Sequence, residues 1–190
     1  MIDTYIRAED SEVISAFDDM SLVELIVERG ADAINALPEG IKGNQDASSE
    51  TIENNVRKLI IDETPVNPKY YEQMSELLDA LVEQRKSEAI SYAEYLANIV
   101  ELARKVHSPG GSGSYPAAIN SAAKRALFDN LGKDESLALT VDEDIRRTMK
   151  ADWRGNIFKE REVRRAIARH ISDPALVEMI FDLAHKQHEY

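Results

Sequence analysis

The chain has 190 residues, 43% of them hydrophobic and 31% charged, and its 35 acidic and 23 basic residues give a formal net charge of −12. This composition is typical of a folded globular protein of one or two domains, and it excludes a disordered chain. The absence of cysteine excludes disulfides, thiolate metal sites and cysteine nucleophiles.

Membrane association and general nucleic-acid binding are also disfavoured by the sequence. No apolar run approaches the ~20 residues of a membrane span, so we expect no membrane partner. The absence of cysteine fits a reducing compartment, and we expect a cytoplasmic protein. Phosphates would be repelled by so acidic a surface, and only a local basic region could bind them.

Apolar residues recur at three- and four-residue steps along most of the chain, a spacing that predicts helices. The predicted helices span residues 21–37, 49–62, 70–82, 92–106, 117–131, 141–150, 157–171 and 174–188. Only residues 137–141 show the alternation of a strand. We therefore predict an all-α, bundle-like fold of about eight helices.

Capping signals mark several of the predicted helix starts, because their side chains can satisfy the first free backbone amides. They are Ser21/Glu24, Ser91/Glu94 and Thr140/Glu143 as capping boxes, and Asn67–Pro68 and Asp173–Pro174 as caps before a proline.

The segment SPGGSGSYP, residues 108–116, interrupts the helices with glycines and prolines. Its composition fits a native surface loop better than an inserted linker. We predict an acidic helical region at 1–107, a flexible loop at 108–116 and a C-terminal helical domain with a basic face at 117–190.

Basic residues concentrate in one segment of this acidic chain. Residues 146–170 contain nine Lys and Arg against three acidic residues, a local charge of +6, while residues 1–145 carry −15. This asymmetry predicts a docking surface for a polyanion or for an acidic partner.

The predicted helix 157–171 has an apolar side centred on Val163 and a basic side opposite to it. The basic side carries Arg161, Arg164, Arg165 and Arg169. Arginine suits phosphate because its planar fork donates two hydrogen bonds to one anion. The alternative is an ordinary solvated face, on which Glu160 and Glu162 pair with nearby arginines.

Trp153, the only tryptophan, precedes a turn that ends at Asn156, the predicted N-cap of this helix. The indole either packs this turn against the helix or anchors a protein interface. His185 and His188 lie one helical turn apart, which is a weak metal signal. Phosphate-loop, dinucleotide and nucleophile-elbow motifs are absent. We expect no catalytic, metal or cofactor site in this chain.

Four segments, taken in order, are similar to one protein family. They are SETIENNVRKLIIDETPVNPKYYEQMSELLDALVEQR (49–85), YLANIVELARKV (95–106), RALFDNL (125–131) and LALTVDEDIRRTMKADWRGNIFKEREVRRAI (137–167). Together they resemble the C-terminal region of the motor and endonuclease subunit (R subunit) of type I restriction-modification enzymes.

This resemblance implies membership in a DNA-cleaving machine. The parent subunit would be an ATP-dependent, Mg-dependent site-specific deoxyribonuclease, whose nuclease and ATPase domains lie outside this chain, and Met1 would not be a natural start. This part would act in assembly with the methyltransferase core (modification and specificity subunits) and in support of binding to double-stranded DNA.

The resemblance also points to two groups of residues. They are Trp153, Arg154, Asn156, Lys159, Glu160 and Arg161 in the basic motif, and Glu53, Asn54, Asn55 and Arg57 in the ENNVR motif. The basic residues Arg154, Lys159, Arg161, Arg164, Arg165 and Arg169 are the candidate DNA or partner contacts. The ENNVR group would alternatively form a buried hydrogen-bond network between helices.

Two other functions stay open on the sequence alone. One is a purely structural protein-interaction domain without DNA contact, in which the chain's own acidic residues neutralise the arginines. The other is an independent metal-dependent hydrolase that uses carboxylates carried on helices.

Overall fold

The computed structural model of the protein describes residues 21–111 and 115–190, and within these ranges it contains helices and no strands, as predicted. The α-helices are α1 (Leu22–Arg29), α2 (Glu39–Lys42), α3 (Gln45–Glu63), α4 (Pro68–Lys86), α5 (Tyr92–His107), α6 (Ala122–Asn130), α7 (Glu135–Thr148), α8 (Ile157–Ala168) and α9 (Pro174–Lys186), and a 3-10 helix spans Gly30–Ala36. In both ranges, each helix is too short or too polar to cross a membrane.

Helices α1 to α5 enclose a first hydrophobic core. Its most deeply buried side chains include Ile26, Leu78, Tyr95, Ile99 and Val106. The apolar stripes predicted for α4 and α5 face this core except at Leu77 of α4, which is 44% exposed, and α4 packs against both α3 and α5. Burial of these stripes therefore holds together helices that would be marginal alone.

Helices α6 to α9 enclose a second core, which contains Leu127, Ile145, Ile167 and Ile180 among its fully buried residues. The break between the two cores falls in the segment after α5. Residues 1–20 of the predicted acidic region, including Met1, and residues 112–114 of the predicted loop lie outside the described residues.

A polar contact joins the two cores where α4 meets α6. The Asn67 side chain donates to Asp129 Oδ2 at 2.7 Å and accepts from Asn130 Nδ2 at 2.8 Å. Gln187, which is buried, donates to the Val66 carbonyl at 2.7 Å. These contacts fix the C-terminal helices against the start of α4.

The predicted caps at Ser21, Asn67, Ser91 and Asp173 are confirmed, because each side chain accepts a backbone N–H of its helix. The predicted Thr140/Glu143 capping box is wrong.

Helix α7 begins six residues before the predicted start, with Asp134 as its N-cap. The Thr140 hydroxyl donates to the Ser136 carbonyl in mid-helix, a bond that competes with its use as a cap. Residues 137–141, the only predicted strand-like stretch, lie within this helix.

The predicted boundaries of α1, α3 and α6 also differ from those of the structure. The helix predicted over 21–37 stops at Gly30, whose φ of 63° ends α1 before the 3-10 helix. Helix α3 begins four residues early because Asn44 caps it, and α6 begins only after Ser121. In each case the cap sets the boundary and the apolar spacing does not.

Candidate docking surface

Helix α8 carries the apolar and basic sides that the sequence predicts. Val163, Ala166 and Ile167 are fully buried against the second core, while Arg161 and Arg165 are exposed. The surroundings of each cation decide whether it is available to a partner.

Arg164 lies between α8 and α9 and not on the free basic side. Its guanidinium pairs with Glu160 at 3.5 Å and Glu178 at 3.0 Å, and it stacks 3.5 Å from the centroid of the Phe181 ring. A cation over an aromatic face with two carboxylates nearby stabilises packing between two helices. Arg164 is therefore already engaged within the protein.

Arg169 belongs to a cluster around the buried carboxylate of Asp144. Arg169 lies 3.6 Å and His170 2.7 Å from Asp144 Oδ2, and Arg147 pairs with the other oxygen. The hydrogen bond with His170 and the two guanidinium groups hold the pKa of Asp144 below its usual value. This cluster ties the end of α8 to α7.

Two further basic residues of the predicted site hold the turn before α8. Arg154 donates to the carbonyls of His185 at 2.8 Å and Gln187 at 2.5 Å, which caps the C-terminal end of α9. Lys159 donates to the carbonyl of Ala151 at 2.5 Å. Both cations satisfy backbone groups of their own chain.

Asn156 and Glu160 fix the first turn of α8. The Asn156 side chain accepts the backbone N–H groups of Phe158 and Lys159, both at 3.2 Å, as the predicted N-cap. Glu160 accepts the N–H of Gly155 at 2.8 Å, and this bond lowers the pKa of the carboxyl group. Hydrogen bonds to both Asn156 and Glu160 therefore fix the backbone of this turn.

Trp153 is buried in the second core and packs edge-on against Phe181 and His185, with ring centroids 5.9 and 5.5 Å apart. The Arg154 guanidinium lies 4.9 Å from the centroid of the indole. The indole is therefore a packing residue of this turn and not an exposed anchor.

The remaining basic residues near this turn face solvent. Arg165 pairs at 2.7 Å with Glu162, which is equally exposed, and such pairs contribute little. Within residues 21–111 and 115–190, the side chains of Lys150 and Arg161 have no hydrogen bond or ion pair. These two are the available cations.

Two large apolar side chains stand beside these cations. Ile157 is 70% and Phe158 77% exposed, at the first two positions of α8. A cavity of about 300 Å³ lies between Phe158 and the end of α7, and it is lined by Thr148, Lys150, Phe158, Lys159, Arg161, Glu162 and Arg165. We call Lys150, Ile157, Phe158, Arg161 and Arg165 the apolar–basic surface.

The sequence interpretation missed Ile157 and Phe158. The signal was present, since Ile157 lies about 120° from Val163 in one direction around an ideal helix and Phe158 about 140° in the other, on the side that carries the arginines.

The ENNVR motif lies in the first core and does not contribute to this surface. Glu53 is buried and accepts from Arg85 Nε at 2.9 Å and from the Tyr95 hydroxyl at 3.0 Å, which joins α3 to α4 and α5. Arg57 pairs with Asp79 on α4 at 2.6 Å.

The two asparagines of that motif do not extend this network. Asn55 donates to the Thr51 carbonyl within α3, and Asn54 is exposed. Glu53 and Arg57 therefore connect helices, while the asparagines between them do not.

Within the described residues, no three His, Asp or Glu side chains are grouped as metal ligands would be. His185 packs against Trp153 and Phe181 and lies 3.6 Å from Glu160. Comparison with known protein families, curated proteins and solved structures found no match. The family resemblance is thus supported by the sequence segments alone.

Proposed function

We propose that this chain is a non-catalytic helical assembly module of the R subunit of a type I restriction enzyme. In this proposal it docks on the methyltransferase core and supports DNA binding by an ATP-dependent translocating endonuclease. The four similar segments support the family, and the apolar–basic surface supports the docking role.

The observation that carries the docking role is the pairing pattern of the cations. Lys150 and Arg161 lack partners among the described residues and lie beside exposed Ile157 and Phe158, in a chain of net charge −12. Exposed apolar side chains next to arginine are typical of protein interfaces. This surface therefore differs from the acidic remainder of the chain.

A second candidate is a protein-interaction module that makes no DNA contact. Five of the nine cations in residues 146–170 pair with carboxylates of the same chain. A cation that already has a carboxylate partner would have to break that ion pair to bind a phosphate, which reduces the net free energy of phosphate binding.

The salt dependence of DNA binding separates these two candidates. Each neutralised phosphate contributes a slope of about −0.9 to the logarithm of affinity against the logarithm of salt concentration. Two available cations would give a slope of about −2, and the second candidate gives no DNA binding at all.

Charge reversal at the available cations tests the docking role. We expect Lys150→Glu with Arg161→Glu to weaken binding of the purified chain to its cognate methyltransferase core about tenfold or more, because acidic groups of the partner would then be repelled. Co-elution, with and without a DNA duplex, followed by titration measures this effect.

Lys58→Glu with Lys133→Glu is the matched control, since both side chains are exposed and have no side-chain partner in the described parts of the chain. It makes the same change in net charge elsewhere and should leave the affinity within about twofold. Equal losses in both double variants would show a net-charge effect. Failure of the wild-type chain to bind the core in either condition contradicts the proposal.

A further inference from the structure

We infer that the apolar–basic surface binds a protein segment in which carboxylates flank an apolar side chain. This inference rests on the proposed function and names the chemistry of the partner at the docking site. Three features carry it: the exposed apolar pair, the available cations and the cavity between them.

The apolar pair is held in an exposed position by the fold. Asn156 caps the turn, Glu160 bonds to the N–H of Gly155, and Ile157 and Phe158 point away from the second core. Because these bonds fix the backbone of the turn, binding has to order only the two side chains, and aromatic side chains commonly dominate the affinity of an interface. Phe158 is therefore the expected anchor.

The cations determine the charge of the occupant. Lys150 and Arg161 have no partner in the described ranges, and Arg165 is held only by the exposed Glu162. An acidic segment would gain charge-assisted hydrogen bonds here. Its carboxylates would meet repulsion from most other parts of the chain, which carries −12 overall.

The cavity is large enough for an apolar side chain of the partner segment, with the partner's carboxylates on either side of it. Its volume of about 300 Å³ lies between the end of α7 and α8, with Thr148 and Lys150 on one side and Phe158 and Arg161 on the other. An apolar residue placed there would contact the Phe158 ring while neighbouring carboxylates reach the cations. The occupant is thus both acidic and apolar.

A protein segment fits this surface better than a DNA backbone. Duplex binding relies on many phosphate contacts, and this surface offers two cations without partners. Exposed Ile157 and Phe158 would gain nothing from a phosphate, since they cannot donate hydrogen bonds to it.

The test compares apolar substitutions in titrations of the full chain against the cognate methyltransferase core without DNA. Phe158→Ser should weaken binding about tenfold or more, and Ile157→Ser should weaken it to a smaller extent. Ile61→Ser is the matched control, because Ile61 is 63% exposed on α3, and it should bind like the wild type. Helical circular dichroism checks that each variant is folded.

Two results would overturn the inference while leaving the proposed function intact. One is wild-type affinity in Phe158→Ser, and the other is an equal loss in Ile61→Ser. Raising the salt concentration should weaken core binding by the wild type more than core binding by the double variant Lys150→Gln with Arg161→Gln. Equal salt dependence of the two would show that the partner segment is not acidic. If the wild-type chain does not bind the core, the proposed function and this inference fail together.

Discussion

At the scale of single residues, the local surroundings of a cation, more than its residue type, decide whether it is available to a partner. Seven of the nine cations in residues 146–170 are held by carboxylates or carbonyls of the same chain. The sequence correctly placed Arg161 and Arg165 on an exposed side. It could not show that Arg164 is covered, because Glu178 and Phe181 come from another helix.

Asp144 provides a prediction at this scale. Asp144→Asn should lower the free energy of unfolding by about 1–3 kcal/mol at pH 6, because Arg147, Arg169 and His170 lose a charged acceptor. The pKa of Asp144 is lowered in the fold, so its contribution is present above about pH 4 and is lost as the pH falls through the lowered value.

Urea denaturation at several pH values measures this difference. Asp182→Asn is the control, because Asp182 is exposed on α9 and has no side-chain partner in the described ranges. If the stability difference between wild type and Asp144→Asn stays constant from pH 6 to pH 3, the ionised carboxylate of Asp144 is not the source of that difference.

At the scale of helices, caps were predictable where they directly precede an apolar run. Ser91 and Asn67 are examples, since each side chain is followed at once by the stripe that its helix buries. The start of α7 was not predictable in this way, because Thr140 offers an equally good local capping pattern inside the helix. Packing of Ala138 against the second core favours the longer helix.

Asn156 provides a prediction at the scale of α8. Asn156→Ala should lower the free energy of unfolding by about 1 kcal/mol, because two backbone N–H groups lose their acceptor. It should also weaken binding to the methyltransferase core, since the first turn positions Phe158.

Chemical denaturation and titration against the core measure these two effects. Asn156→Asp should retain both properties, because Asp caps helices as well as Asn does. Asn54→Ala is the control on an exposed helical site and should not be destabilised. If Asn156→Ala is destabilised but binds the core normally, the cap does not position the docking surface.

At the scale of the whole molecule, the all-α fold followed from apolar spacing, but the association of the two cores did not. Asn67 and Asn130 are 63 positions apart, and Gln187 and Val66 are 121 positions apart. No local pattern encodes such pairs. The apolar–basic surface is more local, because its members lie between residues 150 and 165, and the sequence already places four of them on one side of α8; the cavity beside Thr148 at the end of α7 is the part that only the fold shows.

The central claim is that the apolar–basic surface docks a protein partner, and hydrogen–deuterium exchange tests it most directly. The chain is labelled alone and in the presence of the methyltransferase core, without DNA. We predict slower exchange at the end of α7 and the start of α8, around Lys150 and Phe158, and unchanged exchange in α3 around Ile61. Protection confined to the first core, or unchanged exchange at α8 on a bound chain, would contradict the claim.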